Sequence, residues 1–247
     1  GAYHVPKQRS RFESTLRELL KGVDVVHLHS VHAVLPVWAG LRLRKLGFTG
    51  RVVVTPYYHG SGHTFFRRIL WALWRSVVGR LLRSVDVVTT VSRLEARLVE
   101  EHFGVRAVVI ENGVDEAVLG YEWRPAGYAM YSGRIERYKN VHRLANIVRA
   151  LNKRYGLGLK LKVFGEGPYK DGLLRALREV GVEFEVGSFQ PFERYLESLS
   201  SATFFGLLSE RESYPQSVNE ANAIGVPVVV AKPWGENFSG RSRTLIV

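Results

Sequence analysis

The stretch ESYPQSVNEANAIGVPVVV, residues 212–230, joins a helix start, a helix and a buried strand, with two glutamates eight positions apart. Pro215 suits a helix start because its fixed φ matches the helix and its missing N–H is not needed there. The Gly-Val-Pro and valine run that follow predict a turn into a buried strand. Two acids around a helix N-terminus are either ordinary surface residues or groups that hold a polyhydroxylated ligand.

The same alternation of helix and strand extends over the whole chain. We predict strands at 23–28, 51–55, 85–91, 107–110, 128–132, 159–165, 183–187, 203–208 and 226–231. Helical patterns lie near 11–21, 33–46, 65–83, 92–102, 140–155, 169–180, 192–200 and 216–224. Near-continuous apolar strands that alternate with helices indicate an α/β protein with parallel sheets covered on both faces.

The alternation breaks at 115–127, a segment with Gly, Pro and Trp, which predicts a domain junction. We therefore expect two α/β domains, 1–120 and 121–247. The first predicted strand follows a helix, and the chain ends on a strand-like run at 243–247. The N-terminal domain is accordingly expected to be partial.

The composition bounds the function classes. The 247 residues include no cysteine, which excludes disulfides, a thiolate metal site and a cysteine nucleophile. The formal net charge is +12, and the pI near 10.1 predicts an anionic partner: nucleic acid, an acidic membrane or a phosphorylated substrate. No apolar run reaches the roughly 18–20 residues that span a bilayer, so we expect a cytoplasmic protein or one on the cytoplasmic membrane face.

Ligands of parallel α/β sheets bind beyond the carboxyl ends of the strands, so the residues after each strand are informative. Gly133, Arg134 and Lys139 follow the strand at 128–132. Glycine lets a ligand approach the backbone, and two cations can hold adjacent phosphates, although a solvated turn is the alternative. Gly165 and Gly167 follow the next strand and predict a tight turn into a helix.

The helix after Pro215 adds a second polar group. The amides near Gln216 and Ser217 lie at the positive end of the helix dipole, which favours a phosphate. Glu212 and Glu220 on either side would accept hydrogen bonds from hydroxyl pairs, so the pattern favours a nucleotide-sugar. For Glu220, an ordinary exposed helix acid is the alternative.

These residues resemble a known signature. Glu212 and Glu220 form E-x7-E, and their stretch is similar to that of the retaining glycosyltransferases of family 4, which have the GT-B fold. SGRIERYKNV (132–141) resembles the family's G-R-x4-K element, and VFGEGP (163–168) its v-G-x-G-P element. In the first half the similar elements, in the family's order, are DVVHLHS (24–30), TPYYHGSGH (55–63), VDVVTTVS (85–92) and VIENGVDE (109–116).

The resemblance implies two Rossmann-like, doubly wound parallel-sheet domains that face each other across a cleft. It implies that Arg134 and Lys139 hold the donor diphosphate, that Glu212 meets the transferred sugar, and that Glu220 meets the ribose. His59 would contact the donor sugar, with a structural histidine as the alternative. The implied catalytic residues are Glu212, His59, Arg134 and Lys139. The implied substrate-binding residues are Gly133, Gly165, Gly167, Pro215, Gln216, Ser217 and Glu220.

The resemblance also implies that neither a metal nor a cofactor takes part beyond the nucleotide-diphosphate sugar, and the sequence shows no carboxylate or histidine cluster with metal-ligand spacing. Family members usually begin with a strand and a Gly-rich loop and finish with helices that cross back to the first domain, and neither feature is found here. Asn140 replaces a frequent glycine, and Ser213-Tyr214-Pro215 replaces a common Gly-Phe-Gly.

The acceptor side is expected to be basic. The predicted helix at 65–83 carries five arginines and no acid, with Leu70, Leu73 and Trp74 on its apolar side. Such a helix either packs on the sheet with its basic face exposed to solvent, or it contacts an anionic membrane, where a lipid-linked acceptor would lie. Glycans and small molecules are the other acceptor classes.

Three other functions compete with retaining, metal-independent glycosyl transfer. A nucleotide-sugar epimerase would use the same fold, but the E-x7-E and G-R-x4-K pair favours transfer. The charge of +12 invites nucleic-acid binding, yet the chain shows no recognisable nucleic-acid-binding module, so we expect none. A non-catalytic fragment is the third alternative.

Overall fold

The computed structural model describes residues 9–60 and 65–247. The chain forms two compact units, Gly1–Glu111 and Asn112–Val247, each built around one parallel sheet. This confirms the predicted α/β fold with two Rossmann-like parallel-sheet domains. Residues 112–120, which the sequence assigned to the first domain, group with the second unit because a 3-10 helix at Glu116–Gly120 packs against the helix at Gln216–Ile224.

The first unit contains a four-stranded sheet in the order β1-β2-β3-β4, and every pair is parallel. Its strands are β1 (Val25–His29), β2 (Arg51–Thr55), β3 (Val87–Thr90) and β4 (Val108–Val109). Its helices are α1 (Arg9–Leu19), α2 (Val34–Gly40), α3 (Phe65–Ser84) and α4 (Arg93–Phe103), with a 3-10 helix at Arg44–Leu46.

The prediction of one continuous helix over 33–46 is wrong in its second half, because α2 ends at Gly40. A Cβ on Gly40 would lie 2.6 Å from methyl carbons of both Leu28 and Leu81, so glycine lets this helix approach the sheet and α3 closely. Glycine is also a poor helix former. The chain therefore leaves the helix at the point of closest packing.

Helix α3 buries only part of its apolar surface. Val78, Leu81 and Leu82 lie in the core of the first unit. Leu70 and Leu73, on the apolar side of the predicted helix, are 51% and 71% exposed. The indoles of Trp71 and Trp74 pack against that core instead, and the Trp74 Nε1–H donates to the Val31 carbonyl at 2.8 Å.

The second unit contains a six-stranded parallel sheet in the order β10-β9-β8-β5-β6-β7. Its strands are β5 (Tyr128–Ser132), β6 (Lys160–Phe164), β7 (Phe184–Gly187), β8 (Phe204–Leu207), β9 (Val228–Val230) and β10 (Thr244–Ile246). Its helices are α5 (Val141–Tyr155), α6 (Lys170–Val180), α7 (Phe192–Ser200) and α8 (Gln216–Ile224), with 3-10 helices at Glu116–Gly120, Arg137–Lys139 and Trp234–Phe238.

The strand order places a topological switch point between β5 and β8. From β5 the chain proceeds to β6 and β7 on one side, and then crosses to β8 on the other side. A reversal of strand order of this kind marks the usual position of ligands in parallel α/β sheets, beyond the carboxyl ends of the two strands. This is where a ligand site of the second unit is expected.

Candidate active site

The segments that leave β5 and β8 are tied together at the switch point. The Glu210 N–H donates to the Tyr138 carbonyl at 3.0 Å, and the Asn140 Nδ2–H donates to the Leu208 carbonyl at 3.1 Å. Between these ties, Lys139 Nζ lies 2.5 Å from Glu212 Oε1, and each side chain is only 15% exposed. The structure thus brings together two of the predicted catalytic residues from positions 73 residues apart in the chain.

The backbone conformation of Asn140 explains why asparagine can occupy a position where the family pattern often has glycine. Its φ is +53°, in the left-handed region that glycine and asparagine adopt most readily. This residue ends the 3-10 helix that carries Lys139 and caps the start of α5. The departure from the family pattern is therefore conformationally conservative, and its amide adds the tie to β8.

Arg134 is less constrained than Lys139. Its guanidinium pairs with Glu136 at 2.5 Å, and its side chain is 70% exposed. Its backbone is held by a hydrogen bond, because the buried Tyr131 hydroxyl donates to the Arg134 carbonyl at 2.7 Å. Arg134 is thus an exposed, ion-paired cation on an anchored loop.

Tyr138 lies among the charged groups of this site. Burial raises the pKa of the Tyr138 hydroxyl, Lys139 and Arg134 oppose that rise, and Glu136 and Glu212 add to it. Burial raises the pKa of Tyr131 also, and Glu212 is the next contributor. These couplings place both predicted cations and Glu212 in one electrostatic neighbourhood.

The predicted glycines of the site have a packing role. The Gly133 N–H donates to the Phe164 carbonyl at 3.0 Å, so the loops after β5 and β6 run side by side. A Cβ on Gly165 would overlap the Gly133 carbonyl oxygen, and a Cβ on Gly167 would overlap that of Ile135. The close backbone approach that Gly165 and Gly167 permit in this structure is therefore an approach to the neighbouring loop.

Helix α8 begins where the sequence predicts, directly after Pro215. No side chain caps this N-terminus, since Pro215 occupies the capping position. The Gln216 side chain donates through Nε2 to the Gly113 carbonyl at 2.7 Å, and Ser217 is half-buried. The Val218 and Asn219 N–H groups donate to the Pro215 carbonyl at 3.2 and 3.3 Å, so the amides of Gln216 and Ser217 are the ones left at the positive end of the helix dipole, where the sequence predicts a phosphate.

Glu220 is 8% exposed rather than solvated, which differs from the surface-acid alternative. It accepts a hydrogen bond from the Tyr195 hydroxyl at 2.7 Å. Burial raises the pKa of Glu220, the Tyr195 hydrogen bond opposes this rise, and nearby Asp115 adds to it. A buried carboxyl held by one phenol has a remaining oxygen with which to accept ligand hydroxyls.

Replacing Tyr195 by phenylalanine is expected to lower the free energy of unfolding by roughly 1–3 kcal/mol, because Glu220 loses its donor. The pKa of Glu220 is raised in the folded state, so ionisation of this group costs stability as pH rises through that pKa. Loss of the donor raises the pKa further, and the deficit should therefore be larger at pH 8 than at pH 5. Urea denaturation at both pH values measures it.

The exposed Tyr155 provides the matched control for that experiment. Tyr155→Phe removes a hydroxyl without uncovering a buried carboxyl and should change stability little. Equal deficits for Tyr195→Phe at pH 5 and pH 8 would contradict the role given to the hydroxyl.

His59 lies in the first unit, on the loop after β2. Its ring stacks on His32 with centroids 4.4 Å apart, and His32 stacks on Trp71 at 4.9 Å. His32 Nε2 hydrogen-bonds the Tyr57 carbonyl at 2.9 Å. Residues 61–63 of the TPYYHGSGH element lie outside the described residues.

The sequence analysis did not single out two residues that hold candidate site residues or their loops, Tyr195 and Glu95. Nothing in the sequence singles out Tyr195, which lies on another helix 25 residues from Glu220. Glu95 does carry a signal, because Ser92 and Glu95 form a Ser-x-x-Glu capping box at the start of α4. Within residues 9–60 and 65–247, no three His, Asp or Glu side chains are grouped so that they could hold a metal ion.

Comparison with known proteins follows the two-unit division. Residues 2–118 match the family model described as Glycosyltransferase Family 4, and residues 125–237 match Glycosyl transferases group 1. No curated protein sequence matches the chain.

Solved structures share the fold at low sequence identity. Anabaena Alr3699/HepE in complex with UDP and glucose has a TM-score of 0.75 and 15% identity, over 96% of this chain and 67% of that one. Sucrose-phosphate synthase from Thermosynechococcus elongatus has a TM-score of 0.74 and 17% identity, over 99% of this chain and 67% of that one. A variant of S. aureus TarM in complex with fondaparinux, alpha-GlcNAc-glycerol and UDP has a TM-score of 0.73 and 13% identity, over 95% of this chain and 48% of that one. The chain thus spans about half to two thirds of the length of these proteins.

Proposed function

Because the chain belongs to the glycosyltransferases of family 4 and group 1, we propose that it transfers a sugar from a nucleotide-diphosphate sugar to an acceptor hydroxyl, with retention at the anomeric carbon. The observation that carries this proposal is the Lys139–Glu212 pair at the β5/β8 switch point. It places a cation and a carboxylate in the same unit as the uncapped N-terminus of α8. A sugar diphosphate requires both kinds of group.

The cations and the amides at the helix N-terminus carry positive charge, which the departing nucleoside diphosphate requires for its stabilisation. Transfer breaks the bond between the anomeric carbon and the diphosphate oxygen and forms one to the acceptor oxygen, while the acceptor proton passes to the diphosphate. Negative charge develops on the diphosphate, where Lys139, Arg134 and the amides near Gln216 and Ser217 would stabilise it. We propose that these groups act without a metal ion.

The carboxylates would then serve the two ends of the donor. Glu212 would accept hydrogen bonds from the transferred sugar, and Glu220 from the ribose. His59 of the first unit would contact the donor sugar, as the resemblance implies. We assign no covalent nucleophile, because retention on one face of the sugar requires none.

A thermal-shift screen with UDP, GDP and ADP and their sugars tests donor binding. A ligand that binds only the folded chain at 100 times its Kd adds about 2.7 kcal/mol of stability. UDP is the first probe, since two of the similar structures were solved with UDP. A melting temperature that no nucleotide raises would overturn the proposal.

Product analysis separates the proposal from its enzyme alternative. NMR of the anomeric proton should show the donor configuration in the product, and EDTA should leave the rate unchanged. An epimerised nucleotide-sugar without acceptor would indicate the epimerase instead. Salt-dependent retardation of DNA or RNA in a gel would favour the nucleic-acid alternative.

We also propose that the first unit contacts an anionic membrane through α3. Residues 1–111 carry 17 Lys and Arg against 8 Asp and Glu, which leaves +9 of the total +12 in this unit. Helix α3 contributes five arginines and no acid, and it exposes Leu70 and Leu73. Exposed leucines on a basic helix suit the interface of an anionic bilayer. No helix within 9–60 and 65–247 is long and apolar enough to cross a membrane.

Replacing Leu70 and Leu73 together by serine is expected to reduce flotation with phosphatidylserine-containing vesicles several-fold, because each leucine would otherwise bury its side chain in the interface. The matched control is Leu157→Ser, since Leu157 is also exposed but lies in the second unit. Vesicle binding that is unchanged in the double variant, or absent for the wild type at low salt, would remove this contact.

A further inference from the structure

The loop that follows β2 is held at Tyr57, Tyr58 and Gly60 by hydrogen bonds from side chains. His32 bonds the Tyr57 carbonyl at 2.9 Å, and the Tyr58 N–H donates to Glu95 Oε1 at 2.6 Å. At the next position but one, the Gly60 carbonyl accepts from the Tyr58 hydroxyl at 2.6 Å and from Arg75 Nη2 at 2.7 Å. His59 lies in the middle of this clamped segment.

Glu95 is the buried centre of the clamp. It is 1% exposed, and its second oxygen accepts from the Val91 N–H at 3.0 Å. The carboxylate therefore joins the exit of β2, at Tyr58, to the exit of β3, at Val91. An acid that served only to cap α4 would not need to reach the β2 exit.

We propose that Glu95 is a positioning residue that fixes the His59 loop for catalysis, by holding the Tyr58 and Val91 amides with its two carboxylate oxygens. The inference rests on the proposed function, since it assumes that His59 contacts the donor sugar. A displacement of about 1 Å in a positioned group can cost about 100-fold in rate. Because Glu95 is 1% exposed, we assign it no contact of its own with the substrate.

The charge state of Glu95 gives this role a pH signature. Burial raises the pKa of Glu95 to about 7, and the N–H groups of Val91, Tyr58 and Tyr57 oppose that rise. The ionised form accepts fully at both oxygens, so the clamp should tighten as pH rises through about 7. The titratable groups that contact the loop and its Tyr58 ring from other elements are His32, Arg75 and His102.

Glu95→Gln keeps the shape of the side chain but replaces one acceptor by a donor. We expect amide exchange at Tyr58 or Val91 to accelerate about tenfold or more, because one N–H loses its partner. Exchange at Val54 in the β2 core should not change. This measurement does not depend on enzymatic activity, so it tests the clamp even if the proposed function is wrong.

The kinetic test then asks whether Glu95 acts through His59. In the wild type we expect the rate to step up as pH rises through about 7, because the clamp tightens there. We expect Glu95→Gln to lower kcat about tenfold or more, to leave the affinity for UDP unchanged, and to abolish this step. In a His59→Ala background the same substitution should have little further effect, since coupled residues are non-additive. Glu100→Gln, an exposed acid on the same helix, is the matched control and should behave as wild type.

Two further variants separate positioning from helix capping. Ser92→Ala removes the acceptor of the Glu95 N–H but leaves the carboxylate contacts, so it should lower the melting temperature and retain the pH step. Glu95→Asp restores the charge and should recover part of the rate and of the pH step. Wild-type exchange and an unchanged pH profile in Glu95→Gln, or full additivity with His59→Ala, would overturn the proposal.

Discussion

Replacing Lys139 by alanine is expected to lower kcat/KM for glycosyl transfer by about two orders of magnitude or more, or roughly 3 kcal/mol of transition-state stabilisation. Lys139 is 15% exposed and fixed by Glu212, so its charge acts from a defined position in a partly desolvated site. A surface cation would be screened by water and would matter far less. Steady-state kinetics with the donor identified by thermal shift measures the loss.

The control for this experiment is Lys170→Ala. Lys170 also pairs with a glutamate, Glu166, at 2.9 Å, but it does so on the more exposed surface of α6. This variant should therefore retain activity close to that of the wild type. Near-wild-type turnover of Lys139→Ala would remove Lys139 from the diphosphate site. Its unfolding curve shows whether any loss reflects an unfolded chain instead.

Glu212→Ala is expected to lower kcat by about 100-fold or more, because the transferred sugar loses the carboxylate that orients it. The affinity for UDP should change only a few-fold, since UDP has no transferred sugar to meet Glu212. Glu210→Ala, two residues earlier and exposed, is the matched control. A variant that keeps its kcat but loses UDP binding would place Glu212 at the nucleotide instead.

Combining the two substitutions measures how far the pair acts as a unit. Residues in direct contact usually show coupling energies of about 0.5–3 kcal/mol. The Lys139→Ala/Glu212→Ala variant should therefore lose less than the sum of the single losses. Strict additivity would indicate that the 2.5 Å contact has no bearing on catalysis.

Much of the fold could be predicted from local sequence. The strand at 128–132 and the helices at 192–200 and 216–224 have the bounds that apolar periodicity predicts. Glycine and proline mark their ends, and parallel strands covered by helices leave long apolar runs. The positions of Arg134, Lys139 and Glu212 after their strands could be predicted for a related reason, because the carboxyl ends of parallel strands lie on one edge of the sheet.

What the sequence could not predict depends on contacts between distant segments. The Tyr195–Glu220 hydrogen bond joins two helices, and neither residue has a local pattern that marks it. The exposure of Leu70 and Leu73 depends on which part of α3 reaches the core. The capping box at Glu95 could be predicted from the sequence, but the hydrogen bond between its carboxylate and the Tyr58 N–H is seen only in the structure.

The Lys139–Glu212 contact also affects the thermodynamics of donor binding. A lysine side chain has about 2 kcal/mol of rotamer entropy to lose when it becomes ordered. Here that loss occurs during folding, so under the proposed function an incoming diphosphate would meet an ammonium group that is already held by Glu212. Calorimetry should show a smaller entropic penalty for UDP binding to the wild type than to Glu212→Ala. Under the proposed function, the ligand would also compete with a carboxylate for the ammonium group, which would disfavour weak monovalent anions and favour a densely charged one.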